Sequence, residues 1–575
     1  MSFYDDAKFM FLAGGAAGKD GKAYNIKPIS PAKDFTFTRG TNLTATRVGK
    51  DGYIEKGNEQ LARNTAWSDV GLNTAPTGWT DYRLNGGTYD ATSVSGQIQF
   101  VTTSTQRAIL ISQNFNTISN YVLSVTVDGV NTACPVQDVL GMSANATEVT
   151  YFKDGAVISA TTDVEAGSRY SVFVHKDNTS TTTFRIGIGA NSAVEGDITV
   201  SKPQISYGIA PVDYVENTST SSSKSFGLLE DEPRFDYTGG GCPALLIEGN
   251  AINLVKNSEY LGDYSTSNAT ITTNALTSPE GLDNATTIDV TSNSGSVYAQ
   301  SGGQVESVTA ETEYTFSFYV KQGTNTENYL AVRAQNPAPE TFISQDVAYT
   351  ASTTEWKRIS HTFTTPAGCT SIRLYPQRYS SGGQGTTHIW GMQLEANDYA
   401  TSYIPTYGSS ATRTYDDPND LVHGITMGTS CSIFLEATNF KITETGGAQT
   451  SFLQIMDATS PSVNDRFLFL GIGNVGSTFT LQAQNKESGT STTTNLSKIG
   501  LTMGSPFKAL ARYDGTSFDL FVNGFLEDSD TIVADDHFGR VGLKNLTSQN
   551  QNGHSIKQVI LFDSALSNND AEIIT

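Results

Sequence analysis

The sequence contains few charged residues, and few of those are basic. Charged residues are 16% of the 575, where about 25% is usual. The chain has 36 Lys and Arg against 58 Asp and Glu, for a formal net charge of −22. No basic run offers a local patch, and an acidic protein repels a nucleic-acid backbone. We therefore expect a soluble protein without a nucleic-acid partner.

Cysteines and long apolar runs are also scarce. The four cysteines, Cys134, Cys242, Cys369 and Cys431, show no CxxC spacing, which argues against zinc and favours free buried thiols over disulfides. No stretch approaches the ~18 apolar residues of a membrane span. The N-terminus begins acidic and lacks the long apolar core of a signal peptide. We expect neither membrane insertion nor general secretion.

Motifs of catalysis are missing as well. The six histidines stand apart, outside any metal-ligand spacing, and no GxSxG occurs. Paired acids at 5–6, 416–417 and 535–536 would serve a glycosidase only if they folded into one cleft. Solvated or calcium-binding acids are the simpler interpretation. We predict no enzymatic activity and no cofactor, with a possible structural calcium at Asp416, Asp417 and Asp420.

Glycine, threonine, serine, asparagine and aromatic residues fill the sequence instead. The chain has 53 Gly, 25 Tyr and 28 Phe, a mixture that favours short strands joined by turns. Alternating apolar and polar residues recur, and turn pairs such as Asp514–Gly515 and Asn523–Gly524 separate them. At the C-terminus, Ser567 or Asn568 would cap a short helix. The fold class predicted is all-β, with one terminal helix.

The stretch 233–264 lies at the centre of the pattern. Arg234 to Tyr237 reads as a strand, three glycines at 239–241 end it, and the apolar run Ala244 to Ile247 reads as the next strand. Consecutive glycines permit positive φ, so we predict a hairpin.

The length predicts several domains, since single cores rarely exceed ~250–300 residues. We predict β-sandwich or jelly-roll domains in tandem, β-hairpin modules and a C-terminal β domain. The boundaries are an N-terminal segment 1–33, a hairpin module 34–64, a first jelly roll 65–215, a linker with hairpin 216–258, a second jelly roll 259–415 and a final sandwich 416–575.

The sequences of the two predicted jelly rolls are similar to each other. Residues 170–176 (YSVFVHK) parallel 314–321 (YTFSFYVK), and 203–218 parallel 392–406, where an aromatic exit follows a Gln-containing strand. A repeat of this length indicates duplicated globular domains.

The N-terminal segment is too apolar for a solvated tail. It contains Phe3, Tyr4, Phe9, Phe11 and Leu12 ahead of a glycine break. Either these residues dock onto another protein or another copy of the chain, or they pack against a domain of the same chain.

Several motifs resemble those of bacteriophage virion fibre proteins. DFTFTRGTNLTATRVGKDGYIE at 34–55 and PRFDYTGGGCPALLIEGNAINLVKNSE at 233–259 resemble two halves of a module of such fibres. HIWGMQLEANDYATSYIPTYGSSATR at 388–413 resembles the closing segment of carbohydrate-binding jelly rolls. FVNG at 521–524 and the terminal FDSALSNNDAEIIT resemble a concanavalin-type, laminin-G-like sandwich. In the fibre family the two module halves lie close together, whereas here the first jelly roll separates them.

A sugar ring has an apolar face and a polar rim, so its binding needs aromatic platforms beside hydrogen-bonding groups. Tyr375, Arg378 and Tyr379 in LYPQRYS are the candidates, and Trp67 and Trp79 are others. For each of them, packing in the core is the competing interpretation.

The resemblance implies an exterior virion protein, made in the host cytoplasm. Its N-terminus would attach to other virion proteins through Phe3, Tyr4, Phe9, Phe11 and Leu12, and its C-terminal half would bind host-surface glycan. Hairpin modules too small to fold alone predict a homo-oligomer, most simply a trimer. A head fibre or capsid decoration protein is the alternative. A polysaccharide depolymerase is the third reading, although the chain lacks the β-helix repeat expected of one.

Overall fold

The computed structural model describes residues 6–15, 22–27, 34–40, 43–292, 297–300, 306–379, 383–418, 421–422, 430–441, 449–456, 466–473, 478–486, 493–531, 540–543 and 553–575. As predicted, the protein is nearly all β. Contacts divide the chain into two compact units: unit 1 (residues 1–55, 229–251 and 412–575) and unit 2 (56–228 and 252–411).

The strands are numbered along the chain. Up to residue 227 they are β1 (Ala7–Leu12), β2 (Lys22–Ala23), β3 (Phe35–Thr38), β4 (Thr46–Val48), β5 (Ile54–Gln60), β6 (Thr80–Leu84), β7 (Thr88–Ala91), β8 (Ile98–Thr102), β9 (Arg107–Ile111), β10 (Ser119–Thr132), β11 (Leu140–Met142), β12 (Thr147–Lys153), β13 (Ala156–Ile158), β14 (Ser168–Lys176), β15 (Phe184–Ile188), β16 (Gly196–Tyr207) and β17 (Lys224–Gly227). A helical turn, α1 (Val136–Val139), precedes β11.

The middle of the chain contains β18 (Arg234–Asp236), β19 (Ala244–Ile247), β20 (Ala251–Asn253), β21 (Ser265–Ser267), β22 (Ala269–Leu276), β23 (Ala285–Val290), β24 (Val297–Gln300), β25 (Glu306–Ser307), β26 (Glu313–Gln322), β27 (Asn328–Ala334), β28 (Thr341–Tyr349), β29 (Lys357–Thr364), β30 (Ser371–Tyr375), β31 (Gln377–Tyr379), β32 (Gly385–Glu395) and β33 (Ala411–Arg413).

The last part contains β34 (Asp417–Pro418), β35 (Leu421–Val422), β36 (Ser430–Lys441), β37 (Gln449–Met456), β38 (Arg466–Gly473), β39 (Thr478–Lys486), β40 (Thr493–Thr502), β41 (Pro506–Asp514), β42 (Ser517–Val522), β43 (Phe525–Thr531), β44 (Arg540–Gly542), β45 (Gly553–Phe562) and the terminal helix α2 (Asn568–Ile574).

Unit 1 is built around the predicted C-terminal sandwich. One sheet has the order β18-β19-β45-β36-β41-β42-β43, and β1 joins it by pairing with β45; the other has the order β35-β44-β37-β38-β39-β40. Alternate residues of the two sheets, such as Ile433 and Leu435 on β36 and Phe467 and Phe469 on β38, meet in one core.

The N-terminal segment is part of this sandwich. β1 pairs antiparallel with β45, and Phe9 and Phe11 are fully buried, with their rings 6.5 and 5.9 Å from that of Phe35. The expectation of an exposed anchor at these two residues is therefore wrong, because the core of the chain's own final domain covers them. Leu12 is half-buried against a smaller cluster. Phe3 and Tyr4 lie outside the described residues.

The hairpin predicted at the centre of the sequence is confirmed. β18 and β19 pair antiparallel, from Arg234 opposite Leu246 to Asp236 opposite Ala244. Gly239, Gly240 and Gly241 between them have φ of 88°, 75° and 77°, a backbone that residues with a Cβ rarely adopt. The hairpin does not form a separate module, since β19 pairs with β45 of the sandwich.

Local signals near the C-terminus are confirmed too. The turn at Asp514 and Gly515 connects β41 to β42, with Tyr513 opposite Phe518. Ser567 caps α2, its hydroxyl accepting a hydrogen bond from the Asp570 amide at 3.2 Å. All four cysteines are free, as expected, although Cys242 is exposed.

Unit 2 consists of two sandwiches. In the first, the sheets β13-β12-β14-β10-β16-β8-β7 and β11-β15-β9-β6 enclose a core. In the second, the sheets β22-β23-β32-β26-β29 and β25-β30-β27-β28 do so, beside a small sheet β21-β24-β31.

The strand orders confirm the duplication and correct its alignment. Five strands of the first sandwich have the spatial order β7-β8-β16-β10-β14, and β22-β23-β32-β26-β29 repeat both this order and its sequence along the chain. Residues 314–321 lie in β26, which corresponds to β10. The match with 170–176 in β14 was therefore wrong, and that between 203–218 and 392–406 follows the topology.

A buried pair of side-chain amides closes each repeat in the same way. Gln204 of β16 accepts a hydrogen bond from the Val215 amide at 2.9 Å, and Gln393 of β32 accepts one from Ile404 at 2.8 Å. Gln60, at the start of the first repeat, accepts from Ile205, and Asn253, at the start of the second, accepts from Leu394. The two segments of unit 2 accordingly begin at residues 56 and 252, earlier than the predicted 65 and 259.

The two sandwiches pack together within unit 2. The ring of Phe173 lies 5.2 Å from that of Tyr260, and both belong to one apolar cluster. At its edge, His175 lies with Nε2 3.2 Å from Asp263 Oδ2 and its ring 4.6 Å from Tyr260.

No helix in the described ranges is long and apolar enough to cross a membrane.

The position of Phe11 predicts that the first strand is essential to unit 1. Replacing Phe11 with Ala should cost about 3–5 kcal/mol of unfolding free energy, because it leaves a cavity in a packed core. Lys8→Ala on the same strand, whose surface ion pair with Asp563 spans 3.1 Å, should cost about 1 kcal/mol or less. Denaturant unfolding of both variants measures this; equal small losses would show that β1 is dispensable.

Glu306 predicts a pH-dependent stability for unit 2. Its side chain is buried at the start of β25, and burial raises its pKa from 4.5 to about 7, although Lys256 opposes the shift. The folded state thus binds this proton more tightly, so the contribution of Glu306 to stability is greatest below pH 4.5 and is lost as the pH rises to about 7.

Replacement of Glu306 with Gln should remove this contribution. The variant should gain stability relative to the parent chain above pH 7, while the difference fades below pH 4.5. Denaturant titrations across this range measure it, and a difference that is independent of pH would contradict the assignment.

Candidate functional site

Two of the predicted sugar contacts lie beside the smaller main sheet of the second sandwich. Tyr375 ends β30, and Arg378 lies in β31 after Pro376. Ile372 and Leu374 of β30 belong to the core. Because side chains alternate along a strand, Arg373 and Tyr375 point to the outer face.

Phe342 on β28 brings this face together. Its ring centroid lies 5.9 Å from that of Tyr375, and the guanidinium carbons of Arg378 and Arg333 lie 4.2 and 5.3 Å from it. Arg333 on β27 is directly opposite Phe342 on one side and Arg373 on the other. We call this set the arginine–aromatic face: Arg333, Phe342, Asp346, Arg373, Tyr375 and Arg378.

A bulge in β28 positions the carboxylate of the face. The pairing of β27 with β28 shifts register on either side of Val332, and Asp346 has φ of 51°. Bulges re-aim side chains, and here Asp346 Oδ1 accepts a short hydrogen bond from Arg378 Nη1. The ion pair and the ring contact together hold Arg378 over Phe342.

The exposure of the face differs from the expectation. Tyr375 is only 2% exposed and Arg378 6%, so neither is an open platform. Phe342, Arg333 and Arg373 are partly exposed, which makes Phe342 the ring that a ligand can reach. Tyr379 pairs through its backbone with Val297, and its side chain is outside the described part.

Sequence reasoning missed four members of the face. Alternation along 330–334 and 371–375 could have indicated Arg333 and Arg373, since apolar residues flank each of them. Phe342 and Asp346 gave no such signal, because the bulge interrupts the alternation between them.

The tryptophans pack inside the protein or at its margin. Trp67 and Trp79 are buried and meet edge to face at 5.7 Å, so they are not sugar platforms. Trp390 is fully buried in β32. Trp356 lies just before β29, half-buried, with its indole N–H donating to Thr277 O at 3.1 Å.

Asp416, a calcium candidate, belongs to a buried ion cluster in unit 1. Its carboxylate pairs with Arg39 at 3.2 Å and, through a short contact, with Arg234. Glu248 pairs with Arg234 and Arg413 at 2.8 and 3.0 Å. Burial opposes ionisation of Asp416, but Arg234 and Arg39 outweigh it and lower its pKa.

Arg39 and Arg234 therefore supply the positive charge that a calcium ion would supply to Asp416. The prediction that Asp416 binds calcium is wrong. Asp417 lies in β34 opposite Thr38, and Asp420 is outside the described residues. Within the part of the chain that is described, no three His, Cys, Asp or Glu side chains converge as metal ligands.

Comparison with known proteins bears on the second sandwich. Residues 259–379 match a family model described as a carbohydrate binding domain. The matched segment is about a fifth of the chain. It contains the whole arginine–aromatic face. A search of the curated proteins found no match.

Solved structures that are similar to parts of this chain have low identity and low TM-scores. The CBM40 of Ruminococcus gnavus IT-sialidase bound to α2,3 sialyllactose has 16% identity and a TM-score of 0.21, over 25% of this chain and 82% of that one. The CBM22-1-CBM22-2 tandem of Paenibacillus barcinonensis Xyn10C has 9% identity and a TM-score of 0.20, over 62% and 100%. Mouse laminin α1 LG4-5 has 10% identity and a TM-score of 0.19, over 45% and 86%.

The buried cluster predicts a large effect at Asp416. Replacement with Ala should destabilise unit 1 by about 3–5 kcal/mol, because it leaves buried guanidinium groups without a counter-charge. Asp563→Ala, at a surface pair, should cost about 1 kcal/mol or less. Thermal or denaturant unfolding checks both. A stabilisation by Ca²⁺ that disappears in Asp416→Ala would instead support the calcium interpretation.

Proposed function

We propose that the protein is a non-catalytic, glycan-binding fibre protein on the exterior of a bacteriophage virion, and that its arginine–aromatic face contacts the host glycan. The observation that carries the glycan part is the match of residues 259–379 to a carbohydrate binding domain. The fibre part rests on the resemblance of 34–55 and 233–259 to fibre modules.

The chemistry of the face fits a sugar. Phe342 offers a partly exposed ring against which the apolar face of a sugar can pack. Arg333 and Arg373 next to it are donors only, and hydroxyl or carboxylate oxygens are acceptors that suit them. Because Arg378 and Tyr375 are buried around Phe342, the ring is held in place before a ligand arrives.

Attachment to the virion and self-assembly are the other parts of the proposal. Because Phe9 and Phe11 are buried, attachment to other virion proteins would use other residues. The protein would also form a homotrimer. The hairpin modules that suggested self-association contribute Phe35, Phe235 and Leu245 to the core of unit 1, so the trimer would have to use other surfaces. Several copies per particle would raise avidity without new contacts.

The alternatives lead to different observations. A head fibre or capsid decoration protein of the same build would label on the capsid, and a tail fibre would label on the tail, when particles are stained with an antibody against the chain. A depolymerase would release reducing ends from host polysaccharide. Light scattering at micromolar concentration tests the oligomer, and a monomer mass would exclude the trimer.

Phe342 provides the direct test of glycan binding. In the full chain, Phe342→Ala should weaken binding to a host-surface polysaccharide about tenfold, as for an aromatic contact worth more than 1 kcal/mol. Phe342→Trp, which retains a ring, should keep most of the affinity. Calorimetry or a retention assay measures the three proteins.

The matched control is Phe525→Ala. Phe525 is 69% exposed and lies on β43 of unit 1, so its loss should leave binding unchanged if the second sandwich carries the site. A loss in this variant with unchanged binding in Phe342→Ala would move the site to the C-terminal sandwich. Unfolding midpoints of all variants separate lost binding from lost folding.

A further inference from the structure

We propose that the arginine–aromatic face selects a sugar residue that carries a carboxylate, with Arg373 as the residue that receives it. This inference rests on the proposed glycan binding and names the class of its ligand.

The charges of the face do not balance. Three guanidinium groups lie on it, and two carboxylates accompany them: Glu340 pairs with Arg333 at 3.1 Å, and Asp346 pairs with Arg378. No carboxylate of the described residues lies within 4.0 Å of Arg373, and its Nε is buried without a hydrogen-bond partner. The face therefore has one unpaired positive charge.

In the absence of a ligand, the unpaired positive charge of Arg373 destabilises the face because of its position. Arg373 and Arg333 are directly opposite each other on neighbouring strands, and like charges at such positions repel. An anion bound between or above them removes that repulsion. A neutral sugar would leave it in place.

The net charge of the whole chain has the opposite sign to the charge of this face. Its formal net charge is −22, so a remote anionic glycan is repelled and only a local positive site can hold it. A guanidinium group is planar and matches the two oxygens of a carboxylate through parallel hydrogen bonds. Phe342, adjacent to Arg333, would then pack against the ring that carries the carboxylate.

The neighbouring arginines are less suited to be the receiver. Arg378 is 6% exposed and is occupied by Asp346 and by the ring of Phe342. Arg333 is bound to Glu340 and stacks on the same ring. Arg373 alone combines partial exposure with a free charge.

The experiment uses the full chain and a panel of matched glycan pairs. Each pair consists of an oligosaccharide that contains a uronate or sialate residue and its carboxyl methyl ester, and neutral and sulfated oligosaccharides complete the panel. We expect at least one acidic member to bind about tenfold or more tightly than its ester, and the difference to shrink as the salt concentration rises.

Variants assign the effect to Arg373. Arg373→Gln should abolish the preference for the acid over its ester, and Arg373→Lys, which keeps the charge but loses the planar fork, should retain part of it. Lys357→Gln removes the same charge from an exposed position on β29 of the same domain and should leave the preference intact. Unfolding midpoints confirm that each variant is folded.

The outcomes distinguish the two proposals. Equal binding of acid and ester, binding of neutral glycans only, or a stronger preference for sulfated glycans would overturn this inference while glycan binding stands. An acid preference that survives Arg373→Gln would also overturn it. If the protein binds neither a member of the panel nor host polysaccharide, both proposals are wrong.

Discussion

Unit 1 depends on a buried cluster of ions that joins distant parts of the chain. Arg39 comes from the start of the chain, Arg234 and Glu248 from the central hairpin, and Arg413 and Asp416 from the segment that leads into the last sandwich. Removing charges from water costs several kcal/mol for each ion, and only close pairing and hydrogen bonds offset it. The cluster therefore tolerates very few alternative arrangements of these segments.

The same cluster explains how two segments that are distant in the sequence come together in unit 1. Residues 34–55 and 233–259 are separated by a whole sandwich in the sequence, yet the arginine of the first part and the hairpin of the second share Asp416. Backbone carbonyls accept further hydrogen bonds from these guanidinium groups: Arg234 donates to Thr46 O at 3.2 Å and Arg413 to Gly249 O at 3.1 Å. The chain leaves unit 1 to form each repeat of unit 2 and then returns to it.

The two repeats of unit 2 share a scaffold but not the arginine–aromatic face. The strand of the first repeat that corresponds to β30 is β15, where Phe184, Ile186 and Ile188 enter the core and leave Arg185 and Gly187 between them. A Cβ at Gly187 would lie 2.4 Å from Ala108 O, so no side chain fits there. An arginine is thus present in both repeats, but its aromatic neighbour occurs only in the second, where the family match also lies.

The sequence by itself determined what depends on neighbouring residues. Alternation and turn residues predicted the all-β class, the glycine hairpin at 239–241, the turn at Asp514 and the cap at Ser567, because strand faces, positive φ and capping are set within a few residues. The sequence similarity between 203–218 and 392–406 likewise predicted the duplication.

Only the tertiary structure decided which residues meet across long separations. The apolar character of Phe9 and Phe11 suits an exposed anchor and a buried core equally well. Pairing of β1 with β45 places both residues in the core. Asp416 would suit a cation or arginines, and strands far away in sequence supplied the arginines. The arginine–aromatic face combines three strands and a bulge with Arg378 of a further strand. Register between strands and the position of a bulge are cooperative properties of the sheet, so local sequence could not specify them.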